Sequence, residues 1–148
     1  MKDNLLMIIY IQRCRLLYTR MVSGAGKQWG LSQTACDVLI FLHNNPQFNT
    51  AKDVVTYRMI AKSNVSTAVE ELKKAGYLVA TPDPQSRRSY LLQLTQEATP
   101  VTETVAKAQD DFCKIIDGNM TETERETLYR ILKNSDKNIE NALKQKEN

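Results

Sequence analysis

The amino-acid sequence predicts a mainly α-helical, α+β fold: short leading helices, one β-hairpin, then two long helices. Two observations carry this. Apolar residues recur at helical spacing along most of the chain, and the period becomes strand-like only between Tyr77 and Leu94. Glycine, proline and helix-capping residues stand where each period breaks. With 148 residues, 42% of them hydrophobic and 25% charged, the chain can bury a core and does not have a disordered composition. We read residues 1–148 as a single domain.

The first helix is expected from about Asn4 to Met21, with Gly24 and Gly26 breaking it. Its apolar run from Leu5 to Ile11 is too short to span a bilayer and is followed at once by Arg13 and Arg15. That run is expected to be the buried part of the helix, with no membrane segment and a cytoplasmic location. Ser32 is placed to cap a second helix carrying Val38, Leu39, Phe41 and Leu42, which Asn44-Asn45-Pro46 ends. Thr50 can cap a short third helix, with Asp53 favoured at its positive end. A fourth runs from Lys62 to about Ala75, with Val65, Ala68, Val69 and Leu72 on one face and Gly76 after it. Joined through Arg58-Met59-Ile60, the third and fourth helices form a helix-turn-helix candidate.

Strands are expected over Tyr77–Thr81 and Ser89–Leu94, with Pro82 to Arg88 forming a turn-rich tip that carries Arg87 and Arg88. Pro100 suits the first turn of a long helix carrying Val101, Val105, Ala108, Phe112 and Ile115. Thr121-Glu122-Thr123-Glu124 is a capping box opening the last helix. There Leu128, Ile131, Leu132, Ser135, Ile139, Ala142 and Leu143 form a narrow stripe of the kind that pairs helices.

Charge is unevenly spread. Residues 1–95 carry 12 Lys/Arg against 6 Asp/Glu, or +6, whereas residues 96–148 carry 8 against 11, or −3. One end of such a molecule can approach phosphate while the other faces away. The fourth helix opens with Lys62-Ser63-Asn64 and continues with Ser66-Thr67, short polar side chains able to meet base edges in a major groove. Arg87 and Arg88 could reach the flanking backbone or a narrow minor groove. The candidate DNA contacts are therefore Thr50, Lys62, Ser63, Asn64, Ser66, Thr67, Arg87 and Arg88. The same Ser, Asn and Thr residues also make good helix caps, and exposed arginines are often simply solvated.

The run Lys73-Lys74-Ala75-Gly76-Tyr77-Leu78, then Asp83-Pro84-Gln85-Ser86-Arg87-Arg88-Ser89 and Leu94-Thr95, resembles the signature of the MarR family of winged-helix regulators. The layout of short leading and long trailing helices resembles that family over nearly the whole chain. The resemblance implies a winged helix-turn-helix over 32–95 and a dimerisation base built from 1–22 and 97–145. It implies that Ser63, Asn64, Ser66 and Thr67 face bases, that Arg87 or Arg88 contacts DNA, and that Asp83 supports the wing. The chain departs from the pattern at Ser86, where a second aspartate is usual, and at Met59, where the turn usually has glycine. The expected function is a homodimeric regulator, acting as a ligand-responsive repressor on a pseudo-palindromic site in double-stranded DNA. A small aromatic effector would sit between the dimer helices and the DNA-binding part, and Tyr18, Trp29 and His43 could line that cleft or belong to the core.

Two other functions fit the same residues. Cys14, in the first helix, could make the protein a redox-sensing regulator, or the wing could bind an acidic protein. Cys14, Cys36 and Cys113 lie far apart without a CxxC pair, so neither a disulfide framework nor a zinc site is expected, and each should be buried. With His43 the one histidine, no nucleophile can be placed beside a base, and neither an enzyme nor a cofactor is expected.

Overall fold

The computed structural model describes residues 3–146. In order, the elements are α1 (Asp3–Gly26), a 3-10 turn (Lys27–Trp29), α2 (Gln33–Asn44), α3 (Ala51–Arg58), α4 (Lys62–Lys74), β1 (Leu78–Asp83), β2 (Ser86–Leu94), a second 3-10 turn (Gln96–Ala98), α5 (Thr99–Asp117) and α6 (Glu122–Lys146). They form two compact units, one ending at Phe112 and one beginning at Cys113.

In the first unit α2 is the central element, buried at every position from Ala35 to Leu42. Around it lie Val22 of α1, Val54 of α3, Val65 and Leu72 of α4, Leu78 and Leu92 of the hairpin, and Val101 and Val105 of α5. The caps behave as the sequence expects. Ser32 Oγ accepts the Ala35 N–H at 3.2 Å. Thr50 and Asp53 form a reciprocal capping box at the start of α3.

The first helix differs from expectation in two ways. It continues through Gly24 to Gly26 and does not break near Met21. Gly26 is there for a close approach, because a Cβ on it would stand 2.3 Å from Cys36 Sγ. The α-helix gives way to the 3-10 turn after Gly26, and Gly30 closes that turn in the left-handed region at φ 68°. The run Leu5 to Ile11 is also not buried: Leu5, Leu6, Met7, Ile8, Tyr10 and Ile11 are exposed on this chain. Similarly, of the three cysteines only Cys36 is buried, while Cys14 and Cys113 are half-buried.

The hairpin is longer than the sequence suggests, and its tip is only Pro84-Gln85. Pairing runs from Leu78 opposite Leu94 to Pro82 opposite Tyr90, and then jumps to Asp83 opposite Ser86. Arg87, Arg88 and Ser89 therefore occupy a bulge in β2. Pro82, which has no N–H to give the ladder, stands where the regular register ends. At the hairpin's base the Leu92 N–H donates to the Asn49 carbonyl at 2.7 Å, and Thr50 bridges Leu91, which ties the wing to the segment entering α3.

In the second unit, Gly118 terminates α5 at φ 49°. The Glu124 carboxylate accepts from the Thr121 N–H at 2.8 Å and from its hydroxyl at 2.9 Å, the capping box the sequence predicts. Along α6, Ile131, Leu132, Ile139 and Leu143 are exposed.

Candidate nucleic-acid interface

The turn between α3 and α4 closes through Met59, at φ 53° and ψ 38°, left-handed in a residue with a Cβ. Such a conformation costs about 1–2 kcal/mol for an L-residue. Met59 thus adopts the geometry for which glycine is usual, and 76% of its surface is exposed. Ala61 precedes α4 without any side-chain cap, as its chemistry dictates.

Helix α4 has two distinct faces. Val65, Ala68, Val69 and Leu72 are buried, while Lys62, Ser63, Asn64, Ser66 and Thr67 are exposed. Within the exposed set, Thr67 donates its hydroxyl proton to the Ser63 carbonyl at 3.0 Å. Thr50 is differently employed. Its hydroxyl donates to Asp53 Oδ2 at 2.7 Å and accepts the Asp53 N–H, and its own N–H also goes to that carboxylate. With both of its donors committed to Asp53, Thr50 caps α3.

On the wing, Arg87 and Arg88 are exposed, and among the described residues neither carries an ion pair. Asp83 Oδ1 accepts the Gln85 N–H at 2.9 Å and so shapes the tip turn itself.

Two polar connections that the sequence does not reveal hold this apparatus to α2. In the first, Arg58 Nη2 donates to Asp37 Oδ1 at 2.5 Å and to the Tyr18 hydroxyl at 2.8 Å, and Tyr18 donates to Asp37 at 2.8 Å. Burial, reinforced by the Asp37 charge, pushes the Tyr18 phenol up to about 12, so it remains a proton donor in neutral solution. The Arg58 guanidinium lies 5.6 Å from the Tyr18 ring centre, and Phe112 meets the same ring edge-on at 5.4 Å. In the second, the Glu71 carboxylate of α4 accepts the Ser32 N–H at 2.8 Å and the Ser32 hydroxyl at 2.6 Å. One signal could have found the first cluster: Asp37 interrupts the apolar run of α2, and a carboxylate at a core position needs a partner.

Tyr18, Trp29 and His43 have different surroundings on this chain. Tyr18 belongs to the Asp37 cluster and Trp29 packs on the core, whereas His43 borders a groove with Thr95, Gln96, Thr102 and Glu103. The Cys36 thiol is pushed up to about 12, chiefly by burial and then by Asp37 and Glu71, so it stays protonated and inert. Among the described residues no cluster of three or more His, Cys, Asp or Glu is placed to hold a metal ion. No described helix is long and apolar enough to cross a membrane.

Two helices joined by a left-handed turn and followed by a two-stranded wing define a winged-helix fold. Residues 29–89 match the model of the MarR family. The chain is 26% identical over 141 residues to the HTH-type transcriptional regulator PecS of Dickeya dadantii (strain 3937), covering 94% of this chain and 85% of PecS. It superposes with a TM-score of 0.77 and 22% identity on a MarR family transcriptional regulator of Listeria monocytogenes complexed with 26mer DNA, covering 94% of this chain and 90% of that one. It is also similar to BpsR of Bordetella bronchiseptica, a structure concerned with regulation of that protein's DNA binding by 6-hydroxynicotinic acid. There the TM-score is 0.69 and the identity 20%, over 88% of this chain and 98% of BpsR. Residues 29–89 are thus similar to the MarR family, and the solved structures share the fold of this chain.

Proposed function

We propose that this protein binds double-stranded DNA as a homodimer, represses by occupying a pseudo-palindromic site, and is released by a small aromatic effector. The observation that carries the reading is the face of α4: an exposed polar lead of Lys62, Ser63, Asn64, Ser66 and Thr67, set on a buried apolar back. In this reading Ser63 and Asn64 read base edges while Lys62, Arg87 and Arg88 neutralise phosphates. Asp83 supports the wing by holding its tip turn. The Listeria relative's complex with DNA is consistent with such contacts, and the BpsR structure with a small aromatic effector.

The dimer is supported by apolar side chains left about half exposed on this chain: Leu6, Ile8 and Ile11 on α1, and Ile131, Leu132 and Ile139 on α6. We assign 32–95 to the reading part and 1–22, with 97–145, to the dimerisation base; the rest of α1 extends the first of these. Two-fold symmetry would then set half-sites about 10 base pairs apart. A change in the base that alters the separation of the two α4 helices would lift them out of register and release the operator. A cytoplasmic location follows from this role.

Selecting bound DNA from a random pool, followed by salt titration of the selected site, tests the reading. The expected result is a two-fold-related motif whose affinity falls steeply as salt rises. Affinity that is absent, or indifferent to salt, would overturn it, as would a monomer by sedimentation at micromolar concentration.

A further inference from the structure

Helix α4 is tied directly to the start of α2 near its C-terminal end, and the end of α3, just before the turn into α4, is tied to α2 as well. Asp37 holds Arg58, the residue before the Met59 turn that leads into α4. Ser32, the N-cap of α2, holds Glu71 near the far end of α4 through two donors on one carboxylate. Ser32 and Glu71 are 39 positions apart in sequence. No local requirement of either helix makes Glu71 necessary, because Ser32 caps α2 through its bond from Ala35 whether or not Glu71 is present.

We propose that Glu71 is a positioning residue for sequence reading: its grip on Ser32 sets the tilt of α4 and hence where Ser63 and Asn64 fall. The inference rests on the DNA-binding reading above. The buried face of α4 is made of Val65, Ala68, Val69 and Leu72, non-directional contacts that tolerate small rotations. The paired hydrogen bonds at Glu71 are directional and do not. Between Glu71 and Ser63 the helix axis runs about 12 Å. A tilt of about 5° at Glu71 therefore carries Ser63 about 1 Å sideways. A hydrogen bond to a base edge tolerates little more than that, whereas a lysine or arginine reaching a phosphate adjusts its rotamers. Loss of the tie should thus reduce discrimination between sequences more than it reduces attraction to DNA in general.

Two variants separate this role from stability. Glu71→Ala removes the carboxylate while keeping the best helix former in α4. Ser32→Asp keeps a good N-cap on α2 but sets a second carboxylate against Glu71. The full-length protein is titrated with the DNA selected by wild type and with a scrambled duplex of equal length. For both variants we expect affinity for the selected site to fall about tenfold, the scale of a damaged base contact. Affinity for the scrambled duplex and the salt dependence should be unchanged, because every phosphate-neutralising side chain is still in place. The double variant Ser32→Asp, Glu71→Gln, in which the amide can donate to the new carboxylate, should recover most of the discrimination. Equal losses on both duplexes would mean that Glu71 only stabilises the fold, and that overturns the proposal. Selected-site affinity unchanged in Ser32→Asp overturns it even if Glu71→Ala fails to fold. Wild-type protein without salt-dependent DNA affinity would instead defeat the proposed function, and this inference with it.

Discussion

Arg58 Nη2 stands 2.5 Å from Asp37 Oδ1, joining the last residue of α3 to the middle of the most buried helix in the protein. The two side chains are only 22% and 11% exposed, so little water screens the pair. Removing Arg58 alone would strand a carboxylate with Tyr18 as its main remaining donor. Arg58→Ala is expected to lower stability by about 2–3 kcal/mol, since one partner of a largely buried pair is lost. Asp37→Asn, which keeps an acceptor and removes the charge, should cost less. Urea unfolding followed by circular dichroism gives both values, and equal stability of Arg58→Ala and wild type would show the pair to be energetically idle.

The same cluster predicts an alkaline limb in the stability profile. Tyr18 holds its proton to about pH 12 in the folded protein, against an ordinary value of 10.0. Its contribution is therefore complete below the unfolded value and is lost as pH rises through the folded one, because the unfolded chain releases its proton first. Tyr18→Phe should flatten the decline between these two values. Unfolding free energies measured across that interval check this, and an identical slope in the variant would contradict it.

Two glycines two residues apart should respond oppositely to alanine. A Cβ on Gly24 would meet nothing within 4 Å, so Gly24→Ala should stabilise the protein by about 0.5–1 kcal/mol through helix propensity. A Cβ on Gly26 would collide with Cys36 Sγ at 2.3 Å, and Gly26→Ala should cost about 1–3 kcal/mol by overpacking. Thermal unfolding of the two variants side by side reads the sign directly.

The wing arginines should matter for binding and not for folding. Replacing Arg87 and Arg88 by alanine is expected to leave the melting temperature unchanged, since both are exposed. The slope of log affinity against log salt should flatten by about one unit for each phosphate that is no longer neutralised. An unchanged slope would remove the wing from the binding mechanism.

What the sequence disclosed and what it hid divide along the range of the interactions. The caps at Ser32, Thr50 and Thr121 are local: the residue and its partner lie three positions apart, and all three form as expected. The two faces of α4 are written in its periodicity. Asp37–Arg58 and Ser32–Glu71 span 21 and 39 positions, and no local pattern announces such partners. Gly24 misled, since α1 runs through it, whereas Gly26 does end the α-helix and also allows the close approach of Cys36 Sγ, which no local pattern announces. The greasy start of α1 misled for a related reason, since an apolar run signals burial without saying in what. The exposure of Lys62, Ser63, Asn64, Ser66 and Thr67 was legible in the periodicity of α4, and the bond of Thr50 to Asp53 in the local capping pattern.

The irregular register of the hairpin has a consequence for how such a protein could diversify. Because Arg87, Arg88 and Ser89 sit outside the ladder, adding or deleting a residue among them would lengthen or shorten the wing's reach at its outer end. The inner pairing, Leu78 with Leu94 and Ala80 with Leu92, would keep its facing, and the core beneath would not register the change. That stretch is a place where length can drift from one descendant to another at small thermodynamic expense.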